Sequence, residues 1–219
     1  MMRIKEKLLA LIYPVRAVCQ GCMSAAGHER GWLCEACREK LARSWIGASP
    51  VEGECQAEGA AFAYAYGGPA GGLVRSLKYR GVRRLAEFMA KDMVRALEGI
   101  EPVNADMVVP VPMHPKRKRQ RLYNHAEILA EHVAQMKDVP MCCALKRVRM
   151  TAQQALLSGE ERRHNLNQSI MVDADVSGKT ILLVDDVYTT GATAAACEKA
   201  LRQAGAKHVY LLCYALAKL

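Results

Sequence analysis

The segment Ile181–Thr193 constrains the fold more than any other part of this 219-residue chain. The apolar stretch Thr180–Val184 has the composition of a short buried strand, and a helical pattern follows it over Ala192–Ala204. Between strand and helix the sequence places two adjacent carboxylates, Asp185 and Asp186. Short apolar strands alternate with helical patterns elsewhere, so we predict an α/β protein with a mainly parallel, doubly wound sheet.

The remaining elements are predicted from hydrophobic periodicity. Strands are expected around Phe62–Tyr66, over Asp106–Val111 and over Lys207–Cys213, and helices over 1–12, Arg38–Trp45, Val82–Glu98 and Asn124–Lys137. The polar stretch Lys146–Gln168 is predicted to include a long mobile loop that could close over a ligand, with Gln153, Gln154, Arg162 and Arg163 as its reachable polar groups.

Two cysteine pairs near the N-terminus indicate a metal-binding module. The pairs are Cys19-Gln-Gly-Cys22 and Cys34-Glu-Ala-Cys37, with eleven residues between them. Tetrahedral Zn²⁺ takes four thiolates, and each C-x₂-C pair supplies two from one tight turn. We therefore predict a structural zinc ion held by Cys19, Cys22, Cys34 and Cys37. The alternative is four free thiols in a site that has lost its metal.

The chain is expected to divide into two parts. Residues 1–50 would form a helix and the zinc module, residues 51–219 would form the main domain, and the polar stretch Gly47–Gly59 would contain the boundary. No apolar run reaches the roughly 18 residues that span a bilayer, and no secretory cleavage pattern follows Leu8–Tyr13. The nine cysteines are an odd number, which favours reduced thiols. We expect a cytoplasmic protein without membrane insertion.

The net charge of +9 is concentrated in two clusters. One contains Arg75, Lys78, Arg80, Arg83 and Arg84, and the other contains Lys116, Arg117, Lys118, Arg119 and Arg121. Such clustering favours binding of a polyanion. Solvated surface charge remains the alternative for each residue taken singly.

The loop after the two carboxylates has the residues needed to hold a sugar phosphate. Backbone N–H groups and the dipole at a helix N-terminus attract phosphate, and Gly191 permits close approach to a ligand. The carboxylates can accept hydrogen bonds from ribose hydroxyls. A nucleotide triphosphatase function is less consistent with the sequence. Its phosphate-binding motif needs a glycine five residues before the second glycine, and this chain has Asp173 at that distance before Gly178-Lys-Thr180. A phospho-acceptor domain and a strand–turn–helix without a ligand also remain open.

At these residues the chain resembles the phosphate-binding motif of type I phosphoribosyltransferases, and as a whole it resembles the ComF family of bacterial competence proteins. The resemblance rests on the paired cysteines, Leu77–Gly81, Val109–Pro112 with the basic run after it, Asn124, Gln154 with Leu157 and Ser158, Arg163 with Asn165, and the Asp-Asp loop. It implies a type I phosphoribosyltransferase-like fold, binding of 5-phosphoribosyl 1-diphosphate (PRPP) with Mg²⁺, and a link to DNA uptake in natural transformation.

The resemblance also implies roles for individual residues. Asp185 and Asp186 match the acids that hold the ribose hydroxyls, and the 5′-phosphate loop matches Thr189, Thr190, Gly191, Ala192 and Thr193. The diphosphate loop corresponds to Met113, His114, Lys116 and Arg117, with Lys78 and Arg80 as further candidates. The chain departs from the family at Arg121-Leu-Tyr-Asn-His125, where a glycine is usual, and this departure could reshape access to the site.

Three functions are compatible with the sequence. The first is transfer of phosphoribosyl to an unknown acceptor, for which no general base is identifiable. The second is a non-catalytic competence factor that binds single-stranded DNA and other competence proteins and keeps the PRPP pocket as a sensor or relic. The third is a regulator in which PRPP or a nucleotide changes the oligomeric state of a homo-oligomer.

Overall fold

The computed structural model describes residues 18–24, 31–51, 54–100, 103–113, 123–147 and 170–217. Within these residues the helices are α1 (Glu35–Ala42), α2 (Gly68–Tyr79), α3 (Leu85–Leu97), α4 (His125–Lys137) and α5 (Ala192–Gln203). The strands are β1 (Trp45–Ser49), β2 (Gly59–Ala65), β3 (Met107–Pro110), β4 (Leu145–Arg147), β5 (Ile170–Val172), β6 (Thr180–Tyr188) and β7 (His208–Leu216). The predicted helix over 1–12 lies outside these ranges, as do all but the first two residues of the predicted mobile loop.

Five strands form one sheet in the order β1-β2-β7-β6-β3. The four strands from β2 to β3 are parallel to their neighbours, and β1 is added antiparallel at the edge. Strands β4 and β5 form a separate antiparallel pair. The mainly parallel α/β sheet predicted from the sequence is confirmed.

Helices cover both faces of the sheet, because successive strand residues point to opposite sides. In β6, Leu182 and Val184 pack in the cluster that contains residues of α2, α3 and α4. Ile181 and Leu183 pack in the second cluster, with α5. Each central strand is therefore buried on both faces, which explains its continuous apolar sequence.

Helix α2 was not predicted from the sequence. Gly68 and Gly71 lie in its first turn and Gly72 follows directly, and glycine weakens a helical pattern. Pro69 in that turn is compatible with a helix start, because the first N–H groups lack intrahelical partners. Gly72 is explained by a tertiary contact, since a Cβ atom there would lie 2.1 Å from the carbonyl oxygen of Gly21. We call the described residues of 18–42, which hold the two cysteine pairs and α1, the cysteine module. Packing against this module stabilises a helix of weak intrinsic propensity.

Several boundaries differ from those predicted; for example, β2 begins at Gly59 and β7 continues to Leu216. The helix expected over Arg38–Trp45 is α1, Glu35–Ala42, and Trp45 begins β1 in the main sheet. Strand β6 extends four residues beyond the predicted Val184, because its pairing with β7 continues to Tyr188. The position of the domain boundary near residue 50 stays a prediction. None of the helices in the described ranges is long and apolar enough to cross a membrane.

Candidate functional site

A cavity of about 340 Å³ lies at the carboxyl end of β6. This is the edge at which open parallel sheets bind ligands. Its walls come from six parts of the chain: Tyr66 after β2, Lys78 on α2, Val111, Pro112 and Met113 after β3, Asn124, His125 and Ala126 at the start of α4, Arg147 on β4, and Asp185, Asp186, Val187, Thr189 and Thr193. We call it the acidic pocket. Its volume is in the range of small-molecule sites.

The two predicted acids both line the acidic pocket, but they point to opposite faces of β6. Asp186 lies on the α2 face, is 6% exposed, and receives an ion pair from Lys78 with 2.8 Å between Nζ and Oδ1. Asp185 lies on the α5 face, and its Oδ1 accepts a hydrogen bond of 2.8 Å from the backbone N–H of Asp186. Both acids lie within β6, near the carboxyl end at which they were predicted, and the strand continues past them to Tyr188.

The environment of Asp185 favours its protonated form. Burial is the main cause, and repulsion from Asp186 adds to it, so the pKa of Asp185 rises to about 7. The backbone hydrogen bond from Asp186 and the charge of Lys78 oppose the rise. At neutral pH Asp185 can consequently meet a ligand hydroxyl in a partly protonated form.

The predicted phosphate loop forms the turn between β6 and α5. Thr189 and Thr193 line the acidic pocket, and Thr190, Gly191 and Ala192 form the turn that joins them. Gly191 has φ +78°, and a Cβ atom there would lie 2.1 Å from the Tyr188 hydroxyl oxygen. The positive φ and the short distance to Tyr188 each require glycine at position 191. The resulting turn brings the N-terminus of α5, where the first N–H groups lack intrahelical partners, to the pocket edge.

The loop after β3 is tied to α4 by Asn124. Its Nδ2 donates to the Val111 carbonyl at 3.0 Å, and its Oδ1 accepts from the Ala126 N–H at 3.2 Å as the helix cap. Met113 lines the acidic pocket as predicted for the diphosphate loop. His114, Lys116 and Arg117 lie outside the described residues, so their predicted roles stay predictions.

Lys78 and Arg80, both predicted near the diphosphate, lie at different sites. Lys78 lines the acidic pocket, whereas Arg80 lines a second cavity of about 340 Å³ beside the cysteine module. Arg80 also contacts the sulfur of Met23. Two positions along a helix rotate a side chain by about 200°, which explains the separation. We call the second cavity, which Lys40 and Arg75 also line, the basic cavity.

Sequence reasoning did not select Tyr66, Arg147 or His125 as site residues. Tyr66 directly follows β2, whose carboxyl end reaches the same edge of the sheet as that of β6. His125 is buried, and its Nε2 lies 3.3 Å from the Lys78 carbonyl oxygen. The position of Tyr66 at the carboxyl end of the predicted strand Phe62–Tyr66 was a usable signal, but Arg147 depended on strand pairing that the sequence did not reveal.

The four predicted zinc ligands form one cluster. All four Sγ atoms lie within 4.8 Å of one another, and those of Cys22 and Cys34 are 3.9 Å apart. A tetrahedral site with Zn–S bonds of about 2.3 Å has sulfurs about 3.8 Å apart. The Ser24 side chain, followed by its backbone, lowers the pKa of Cys22 to about 6, whereas burial raises the pKa of Cys37 in the absence of a metal ion. The donor set and its spacing fit Zn²⁺.

Among the residues that the structure places, this cluster is the only group of three or more metal-ligating side chains. The acidic pocket does not provide a complete protein-only metal site. A metal ion there would need oxygens from a ligand.

The mostly parallel sheet, the paired acids near the end of β6 and the glycine-started helix after them define an α/β protein with a polar pocket at the carboxyl edge of its sheet. The chain is 31% identical over 134 residues to competence protein F of Haemophilus influenzae, covering 59% of this chain and 57% of that protein. It is 28% identical over 155 residues to DNA utilization protein YhgH of Escherichia coli O157:H7, covering 68% and 67%. The chain is thus a homologue of these proteins, and its resemblance to the ComF family is confirmed.

Glutamine PRPP amidotransferase from B. subtilis is 22% identical, with a TM-score of 0.42 over 58% of this chain and 26% of that one. No protein-family model matches the sequence. The matched regions span a little over half of the Haemophilus protein and about two thirds of the Escherichia one.

Proposed function

We propose that the chain binds PRPP with Mg²⁺ in the acidic pocket and transfers its phosphoribosyl group to an acceptor that serves DNA uptake. The observation that supports this most is the convergence of Asp185, Asp186 and the Thr189–Thr193 turn on one cavity. The carboxyls suit the ribose hydroxyls, and the N-terminus of α5 suits the 5′-phosphate. The names of the relatives support the link to DNA uptake and use.

Of the Lys and Arg side chains that line the acidic pocket, Arg147 and Lys78, we assign the diphosphate to Lys78. Its side chain is 21% exposed and lies between Asp186 and the open cavity. An ammonium group at this position stabilises negative charge that develops on a leaving diphosphate. We infer that Lys78 exchanges part of its contact with Asp186 for a diphosphate oxygen when PRPP binds.

The expected Mg²⁺ fits this site only together with the ligand. Mg²⁺ in phosphate sites is held by one or two carboxylates, substrate oxygens and water. Asp185 and Asp186 are the carboxylates that line the acidic pocket. Bound Mg²⁺ would neutralise diphosphate charge, and these two side chains would orient the ribose hydroxyls.

The reaction would be displacement at C1 of the ribose. The bond from C1 to the diphosphate oxygen breaks with both electrons going to diphosphate, and the acceptor forms the new bond to C1. The pocket residues bind and orient the substrate, and Lys78 supports the leaving charge. The proposal includes a structural Zn²⁺ at the cysteine cluster, and the reduced thiols that it requires are consistent with a cytoplasmic location.

Calorimetry with PRPP, with and without Mg²⁺, tests the pocket. The probe variant carries Asp185→Asn and Asp186→Asn. Its matched control carries Glu131→Gln and Asp138→Asn, which remove the same two charges from a groove along α4. Binding by the wild type and the control but not by the probe variant is the expected result. No binding to folded, zinc-loaded wild-type protein would refute the proposal.

Binding of single-stranded DNA is the second candidate function, and the basic cavity favours it. Lys40, Arg75 and Arg80 line this cavity without a carboxylate beside them, next to Cys22 and Cys37. None of the three forms an ion pair with another described residue. Phosphate contacts by such side chains make affinity depend steeply on salt.

The DNA hypothesis is tested by Lys40→Gln with Arg75→Gln, measured by fluorescence anisotropy on a labelled oligonucleotide at several salt concentrations. Loss of two phosphate contacts should reduce the salt slope by about 1.4, since each contact on a single strand contributes about 0.7. Lys91→Gln with Lys199→Gln is the charge-matched control on other exposed helix faces. An unchanged slope in the probe variant would exclude the basic cavity as the DNA site.

A further inference from the structure

We infer that the cysteine module positions Lys78, so that zinc binding and PRPP binding are energetically coupled through helix α2. The inference rests on the proposed function of both sites. One end of α2 is packed against the cysteine module, and the other carries the cation of the acidic pocket. About 9 Å of helix separates Gly72 from Lys78. A rigid element that contacts both sites is what coupling between them requires.

The first end of α2 is fitted closely to the module. A Cβ atom on Gly72 would lie 2.1 Å from the Gly21 oxygen, and one on Gly21 would lie 3.0 Å from the Cys37 sulfur and 3.2 Å from Pro69. Backbone of the first cysteine turn therefore lies directly on the helix backbone. The buried Ser76 hydroxyl adds a hydrogen bond of 3.4 Å to the Gln20 carbonyl.

Apolar packing joins the same two parts. Four buried module residues share one cluster with the inner face of α2; they are Cys19, Leu33, Cys37 and Leu41, and the helix contributes Ala70, Leu73, Val74 and Leu77. Two of the four module residues are themselves members of the cysteine cluster. Loss of the metal would therefore disturb side chains that pack on the helix.

The second end of α2 is fixed to the pocket wall. The Lys78 ammonium pairs with Asp186, and its carbonyl oxygen lies 3.3 Å from Nε2 of His125. The Tyr123 hydroxyl donates to the Leu77 carbonyl. His125 and Asp186 both line the acidic pocket. A shift of α2 along its axis would consequently move Lys78 relative to the site of the diphosphate.

The first test compares the dissociation constant of PRPP with Mg²⁺ for zinc-loaded protein and for protein stripped by a chelator, with circular dichroism to verify folding. Misplacement of one charge-assisted contact predicts about tenfold weaker binding to the stripped protein. In Lys78→Met, removing zinc should change the remaining affinity less than twofold, because the coupled group is absent. An equal zinc effect in both proteins would overturn the role of Lys78.

Coupling of this kind is reciprocal. PRPP with Mg²⁺ should therefore slow or weaken capture of zinc by a competing chelator, by the same factor of about ten in affinity. Zinc affinity that is independent of PRPP in a protein shown to bind both would overturn the coupling. Failure of PRPP to bind the zinc-loaded wild type would instead refute the proposed function, so the two failures are distinguishable.

A pair of adjacent glycines gives a test that leaves every cysteine intact. Gly72→Ala forces the module away from α2, whereas the Cβ of Gly71→Ala meets only the flexible end of Arg75 at 3.2 Å and the Tyr66 ring at 3.6 Å. Both changes add the same methyl group to the same helix. We expect about tenfold weaker PRPP binding in Gly72→Ala than in Gly71→Ala, with zinc content equal. Equal affinities would overturn the inference even if zinc-free protein cannot be studied because it unfolds.

Discussion

Substitution of Gly191 by alanine should destabilise the protein and weaken phosphate binding. The residue has φ +78° at the start of α5, and its added Cβ would lie 2.1 Å from the oxygen and 2.6 Å from Cζ of Tyr188. Gly178→Ala is the matched control, because Gly178 has φ +69° and no atom within 4 Å of its virtual Cβ. Comparison of the two variants separates the energetic cost of backbone strain from the cost of steric overlap.

The magnitudes follow from these two effects. A left-handed backbone costs an alanine about 1–2 kcal/mol, and both variants bear this cost. Overlap with the buried Tyr188 ring adds about 1–3 kcal/mol in Gly191→Ala alone, the usual cost of excess volume in a packed site. We expect total losses of about 2–5 kcal/mol for Gly191→Ala and about 1–2 kcal/mol for the control.

Urea denaturation followed by circular dichroism measures the difference, with the m-value as a check that compactness is unchanged. Calorimetry with PRPP should show weaker binding to Gly191→Ala and unchanged binding to Gly178→Ala, since only the first distorts the turn that leads into α5. Equal free energies of unfolding for the two variants would refute the proposed contact between position 191 and Tyr188.

Other predictions concern pH and buried polar groups. Because the folded-state pKa of Asp185 is raised to about 7, the free energy of unfolding should fall by up to a few kcal/mol between about pH 4 and pH 7, and Asp185→Asn should abolish that slope in urea titrations. Glu58 behaves oppositely: burial raises its pKa, but hydrogen bonds from Val209, Arg202 and His208 outweigh this and lower it. Glu58→Gln should therefore lower the free energy of unfolding by about 1 kcal/mol at pH 7, and this difference should vanish as the pH falls well below 4.5. A difference that stays constant with pH would contradict the lowered pKa of Glu58. The Tyr214 hydroxyl is buried without a hydrogen-bond partner among the described residues, so Tyr214→Phe should be neutral or stabilising by up to about 1 kcal/mol in thermal unfolding.

The elements that could be predicted are those whose sequence pattern and packing agree. Helix α3 has apolar residues at helical spacing and was expected over Val82–Glu98, and α4 begins at the predicted Asn124, which caps it. The cysteine pairs come together because each pair is local in sequence. In such segments local preference already determines the structure.

The parts that could not be predicted depend on tertiary contacts. Helix α2 exists beside the cysteine module despite its glycines, and β1 pairs with β2 although its Gly47 interrupts a strand pattern. The sequence made Lys78 and Arg80 equal candidates for the diphosphate. They line different cavities because the helical backbone at the end of α2 directs their side chains to different sides. The lining of the acidic pocket likewise depends on strand order, which apolar periodicity does not encode.

The strand order has a consequence for the order of assembly during synthesis. Strand β2 pairs in parallel with β7, so Gly59 lies opposite Tyr210 and the centre of the sheet joins residues about 150 positions apart. Contacts of this sequence separation form late and slow folding, whereas the cysteine cluster spans only Cys19 to Cys37 and leaves the ribosome well before β7. The metal-binding turns can thus mature before the acidic pocket exists, and a chain truncated before β7 should take up metal without acquiring a ligand site.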